Sequence, residues 1–94
     1  MTLQDHFLTA CRENNLSWVK AIVEGKHREE VRLELGLVSA SYRGHFELVK
    51  YLVRQGADIH FDRDTAMIWA GVYGHEEIAN YLRNRVIGEK LEGI

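Results

Sequence analysis

A period of thirty residues runs through this chain and limits its possible folds more than any other feature. GHFELVKYL at Gly44 returns as GHEEIANYL at Gly74, with Gly, His, Glu, an aliphatic residue, Tyr and Leu in the same order. One step further back, NNLSWVKAI at Asn14 keeps the apolar phase but loses Gly-His. Ala10, Ala40 and Ala70 then align, as do Phe7, Leu37 and Met67, and Ile22, Leu52 and Leu82. The chain divides into units of about 5–34, 35–64 and 65–94 without insertions, the first of them degenerate, and the whole of 1–94 is read as one domain. Such a period implies a stack in which each unit buries its apolar face only against its neighbours.

Within a unit the apolar spacing is helical. Leu37, Val38, Ala40 and Ser41, then Leu48, Val49, Tyr51, Leu52 and Val53, follow the i, i+3, i+4 pattern of two short amphipathic helices. The pattern predicts helices over 5–13 and 16–25, 35–43 and 46–55, and 65–73 and 76–87. Gly44 and Gly74 stand where a helix end needs a left-handed backbone, and Asn14 occupies the matching slot of the first unit. Gly56 reads as a further helix stop and Thr65 as the N-cap of the next helix. Val86 stands where a stop glycine would fall, so the last helix is expected to reach Ile87 or beyond, with EKLEGI capping the apolar end or fraying.

Composition narrows the function. A single cysteine, Cys11, leaves no intramolecular disulfide and no site of several thiolates, which fits a reducing, cytoplasmic compartment. No stretch approaches the roughly 18 apolar residues of a membrane span, and MTLQDHFLTACREN lacks the pattern of a signal peptide. A net charge of −2 gives no electrostatic reason to bind nucleic acid. Cys11 shares a small-residue phase with Ser41 and Gly71 and reads as a core thiol. His6, His27 and His60 lack metal-ligand spacing, and Glu29-Glu30 and Glu76-Glu77 read as solvent-facing. No catalytic residue, metal or cofactor is expected. Trp18 and Trp69 are assigned to core phases, and Tyr51 and Tyr81 to a core phase with outward hydroxyls. The charged stretch GKHREEVRLE, from Gly25 to Glu34, reads either as a solvated connector or an extra helical turn in which Glu and Arg pair weakly, or as a contact loop.

At ASYRGHFELVKYLVRQGADI, Ala40 to Ile59, and TAMIWAGVYGHEEIANYL, Thr65 to Leu82, the sequence resembles ankyrin repeats. The pattern runs from a small pair and two variable residues through Gly-His and Glu to aliphatic positions and Gly-Ala-Asp. The resemblance implies an all-α helix-turn-helix solenoid of about three repeats. His6, Gly36 and Ala66 occupy slots where the family carries proline, and this chain has none. Gly56 to Thr65 is too short for the family's hairpin finger, so the fingers are expected to be trimmed. Clipped, proline-poor repeats of this kind are similar to those of large DNA viruses and some intracellular microbes.

The resemblance also implies that His45 and His75 bond to backbone in the turns, and that a concave face at the ends of the inner helices holds partners. On this chain that face comprises Arg12 and Glu13, Tyr42 and Arg43, and Val72 and Tyr73, with Glu34, Arg63 and Asp64 on the fingers as a polar rim. Tyr and Arg commonly carry interface energy. The expected function is a non-catalytic protein-interaction module without an attached effector domain, a small inhibitor or adaptor docking another protein. The alternative is a structural protein whose apolar ends stack into a homodimer.

Overall fold

Three helix pairs follow one another in the computed structural model, which describes residues 1–92. They are α1 (Leu3–Arg12) and α2 (Leu16–Val23), α3 (Leu33–Arg43) and α4 (Phe46–Arg54), and α5 (Phe61–Val72) and α6 (Glu76–Glu92), with a 3₁₀ turn at Arg28–Glu30. No strand occurs among the described residues, so no hairpin finger is present there. The inner helices α1, α3 and α5 pack side by side, and each pairs with the outer helix that follows it. The all-α repeat architecture expected from the thirty-residue period is the one observed.

Local chemistry explains each turn. Asn14, Gly44 and Gly74 have φ of 55°, 82° and 79°, the left-handed values that let an inner helix stop and its outer partner start at once. Thr2 caps α1 in a capping box: its Oγ1 accepts from the Asp5 amide at 3.1 Å and its own amide donates to the Asp5 carboxylate at 3.0 Å. These bonds, that of the Thr2 amide foremost, hold the Asp5 carboxyl below the usual carboxylate range.

The core is one continuous cluster running along the stack, in which Phe7, Leu37, Leu48, Leu52, Ile78 and Leu82 are fully buried. Inner helices approach closely where side chains are small. A Cβ on Gly36 would fall 2.7 Å from the Phe7 ring and 2.9 Å from Cys11 Sγ. Gly36 therefore sits where no side chain fits. Cys11 is buried in this seam, and burial pushes its thiol up to about 12, so it packs as a neutral group.

Three expectations need correction. Thr65 is not an N-cap: α5 is entered through Asp62, Arg63 and Asp64, whose φ values of 53°, 60° and 63° make a single left-handed turn, and the Thr65 hydroxyl donates to the Asp62 carbonyl. The 26–34 connector holds no Glu–Arg pair. His27 pairs with Glu30 at 2.7 Å, while Arg28 reaches across to Gln55, donating to its Oε1 at 3.2 Å and to its carbonyl. Trp69, assigned to the core, is 39% exposed because its slot faces away from the packed seam. The last helix does pass Ile87, continuing to Glu92; the final two residues of EKLEGI lie outside the described residues.

Candidate protein-docking face

The inner helices end on one side of the stack, and the two stop glycines set where. Because Gly44 and Gly74 turn the chain immediately, the residues just before them project from the last turns of α3 and α5 instead of running into a loop. Tyr42 and Tyr73 consequently meet, ring centroids 4.5 Å apart and edge to face. Trp69, one turn before Tyr73 on α5, completes the cluster at 5.7 Å from Tyr73 and 6.4 Å from Tyr42. Tyr42 and Tyr73 are 41% and 49% exposed, so this is a surface cluster and not a core. The adjoining Tyr42 hydroxyl holds the Tyr73 phenol above the usual tyrosine range. Arg43 lies with its guanidinium 5.8 Å from the Tyr42 ring centre, at cation–π distance.

Beside the cluster an open groove of about 400 Å³ crosses the inner helices. Leu8, Leu35, Val38, Phe61 and Trp69 supply its apolar lining, with Arg12 and Asp62 among its charged residues. Arg32 stands 5.4 Å from the Phe61 ring centre. Arg12 donates to Thr9 Oγ1 at 3.2 Å, and neither Arg12 nor Arg43 has a carboxylate partner among the described residues.

The expected site residues separate into groups. Arg12, Tyr42, Arg43 and Tyr73 join the groove or the aromatic cluster. Glu13 is exposed where α1 ends. Val72, 64% exposed, lies one helical turn from Ile68, itself 54% exposed, at the open end of the stack. The rim residues have other occupations: Glu34 accepts from the Asp58 amide at 2.9 Å, Asp64 pairs with His60, and Arg63 is exposed within the left-handed turn. Trp69, Phe61 and Asp62 were not anticipated. The repeat register carries the signal for Trp69, since its equivalents are Thr9 and Ser39, polar residues unsuited to a core slot.

Histidines hold the face in place. His45 Nε2 donates to the Arg12 carbonyl at 3.1 Å and His75 Nε2 to the Tyr42 carbonyl at 3.0 Å, so each ties its unit to the one before. Because a carbonyl only accepts, each ring carries its proton on Nε2. The bonds to backbone implied by the repeat pattern are present, and they run between units. His27, Glu29 and Glu30 bring ligand atoms within 4.8 Å of one another, but all three are exposed and His27 and Glu30 already pair.

A family model for ankyrin repeats, in three copies, matches residues 7–91. A palmitoyltransferase of Lachancea kluyveri, AKR1, is 32% identical over 83 residues, covering 78% of this chain and 11% of that protein. The serine/threonine-protein kinase TNNI3K of mouse and of rat is 34% identical over 61 residues, covering 52% of this chain and 7% of the kinase. The chain thus spans about a tenth or less of the curated relatives it matches. No solved structure gives a significant match.

Proposed function

Because this chain belongs to the ankyrin-repeat family, we propose that it is a non-catalytic module that docks another protein on the face built from Tyr42, Trp69 and Tyr73. Ankyrin repeats are in general protein-interaction modules, and no helix among the described residues is long and apolar enough to cross a membrane. The observation that carries the reading is the cluster of three mutually contacting aromatic rings left exposed beside an apolar groove. Large rigid rings with an arginine alongside are the side chains that dominate binding energy at interfaces. By occupying a partner's surface the module would serve as an inhibitor or adaptor, acting in the cytoplasm where its lone thiol stays reduced.

The test is a binding titration against a partner recovered from the native cell. Tyr42→Ala combined with Tyr73→Ala should weaken binding by more than about 2 kcal/mol, the scale of a hot spot. The thermal midpoint should change little, since both rings are exposed. Full affinity in a folded double variant sinks the proposed site. A second reading, self-association, is favoured by one observation: Ile68 and Val72 remain uncovered at the end of the stack.

A further inference from the structure

His60 takes no part in the docking face, yet it has carboxylates on both sides. Its Nδ1 lies 2.7 Å from Asp64 Oδ1 on α5, and its Nε2 lies 2.8 Å from Glu89 Oε2 on α6. Its backbone amide donates to Asp58 Oδ1 at 2.9 Å. An ionised carboxylate can only accept, and a neutral imidazole has a single N–H. A neutral ring can therefore satisfy one of these two partners; only the imidazolium donates to both.

Two segments that need support meet at this ring. Asp64 closes the left-handed turn at residues 62–64, a conformation that non-glycine residues adopt at a cost. Glu89 belongs to the second half of α6, which at 17 residues outruns α2 and α4 at 8 and 9. In that half Val86 packs partly against the core, while Ile87 and Leu91 are exposed. The segment therefore has a slight apolar anchor. The charged groups facing the ring are Asp64 from α5 and Glu89 from α6, with Asp58 on its amide; Arg85, one turn before Glu89, and Arg63 in the turn are the nearby cations in sequence.

We propose that His60 is a proton-dependent latch that, as the imidazolium, fastens the distal half of α6 to the left-handed turn beside the groove. Loss of one ring proton leaves one carboxylate facing a bare nitrogen, and the fastening opens. Hydrogen bonding and charge from Glu89, then from Asp64, raise the ring's pKa above its ordinary value of 6.5. The folded-state pKa thus exceeds the unfolded one. The latch's contribution is complete below pH 6.5, falls through the interval between the two values and is gone once the pH has risen past the folded one. Its members are exposed, so salt weakens it.

The experiment follows the His60 ring by NMR through a pH titration of the whole chain, alongside amide exchange of residues 84–92 corrected for intrinsic rates. The His60 midpoint should lie above that of a histidine in an unstructured peptide and should fall in Glu89→Gln and in Asp64→Asn. Protection of 84–92 should drop by about two- to fivefold across that midpoint, the range an exposed ion pair supports. In Glu89→Gln the drop should vanish while the earlier helices keep their protection. A His60 midpoint at or below the peptide value overturns the latch, as does protection of 84–92 that ignores the titration. Neither readout involves a binding partner, so the latch stands or falls separately from the docking face.

Discussion

A turn glycine can be required for two separate reasons, and this chain isolates them. Gly44 and Gly74 share the left-handed backbone, but a Cβ at Gly44 would come within 2.6 Å of the His75 ring, whereas one at Gly74 would meet nothing within 4 Å. Alanine should cost about 1–2 kcal/mol at either position for the backbone alone. Gly44→Ala should cost more, because it displaces the ring that bonds the Tyr42 carbonyl, a bond worth a further 0.5–1.5 kcal/mol or so. Chemical denaturation of the two variants decides this, and equal losses would show that His75 moves aside freely. These turns were legible because few residues tolerate a left-handed backbone, and Asn14 in the glycine slot gave the same message. Trp69 was misassigned because hydrophobicity alone does not tell a core slot from an exposed aromatic; its alignment with Thr9 and Ser39 does.

At the scale of elements, helix existence was legible and the entry to α5 was not. Apolar periodicity reports a helix through its buried stripe, whereas Asp62-Arg63-Asp64 has no stripe and reads like an ordinary capped loop. Three successive left-handed residues are held there by local bonds, those of Asp64 with His60 and of Thr65 with the Asp62 carbonyl. Asp tolerates this conformation better than Arg does. Arg63→Gly should therefore stabilise the chain, by about 0.5–1 kcal/mol once glycine's greater freedom in the unfolded state is set against the relieved strain. A denaturation midpoint that falls instead would mean that the Arg63 side chain contributes more than its backbone costs. The bonds that the expected rim residues make were hidden for a related reason. Glu34 and Asp64 look like free surface charges in sequence, but their partners, the Asp58 amide and His60, belong to the shortened linker between units, whose path no periodicity describes.

For the whole molecule the repeat register determines which surfaces stay open. The third unit replaces Phe46 and Val53 with Glu76 and Arg83, making its outer helix polar at those positions, but it carries exposed Ile68 and Val72 on the inner one. Half of the end is thus capped. If that half associates with a second copy, the sedimenting mass should rise with concentration above the monomer's 10.9 kDa, and Ile68→Lys with Val72→Lys should restore the monomer. A constant 10.9 kDa for the parent chain discards self-association and leaves the aromatic face as the functional surface. The bonds from His45 to Arg12 and from His75 to Tyr42 bear on how that surface would recognise anything. They clamp the strip at the main chain: Arg12 and Tyr42 are each braced by the histidine of the unit that follows, and Tyr73 meets Tyr42 and Trp69 through its ring. The face therefore has two fixed points, one repeat apart. A partner would find its register dictated at Arg12 and Tyr42, where the main chain is already held and little ordering entropy is left for binding to lose.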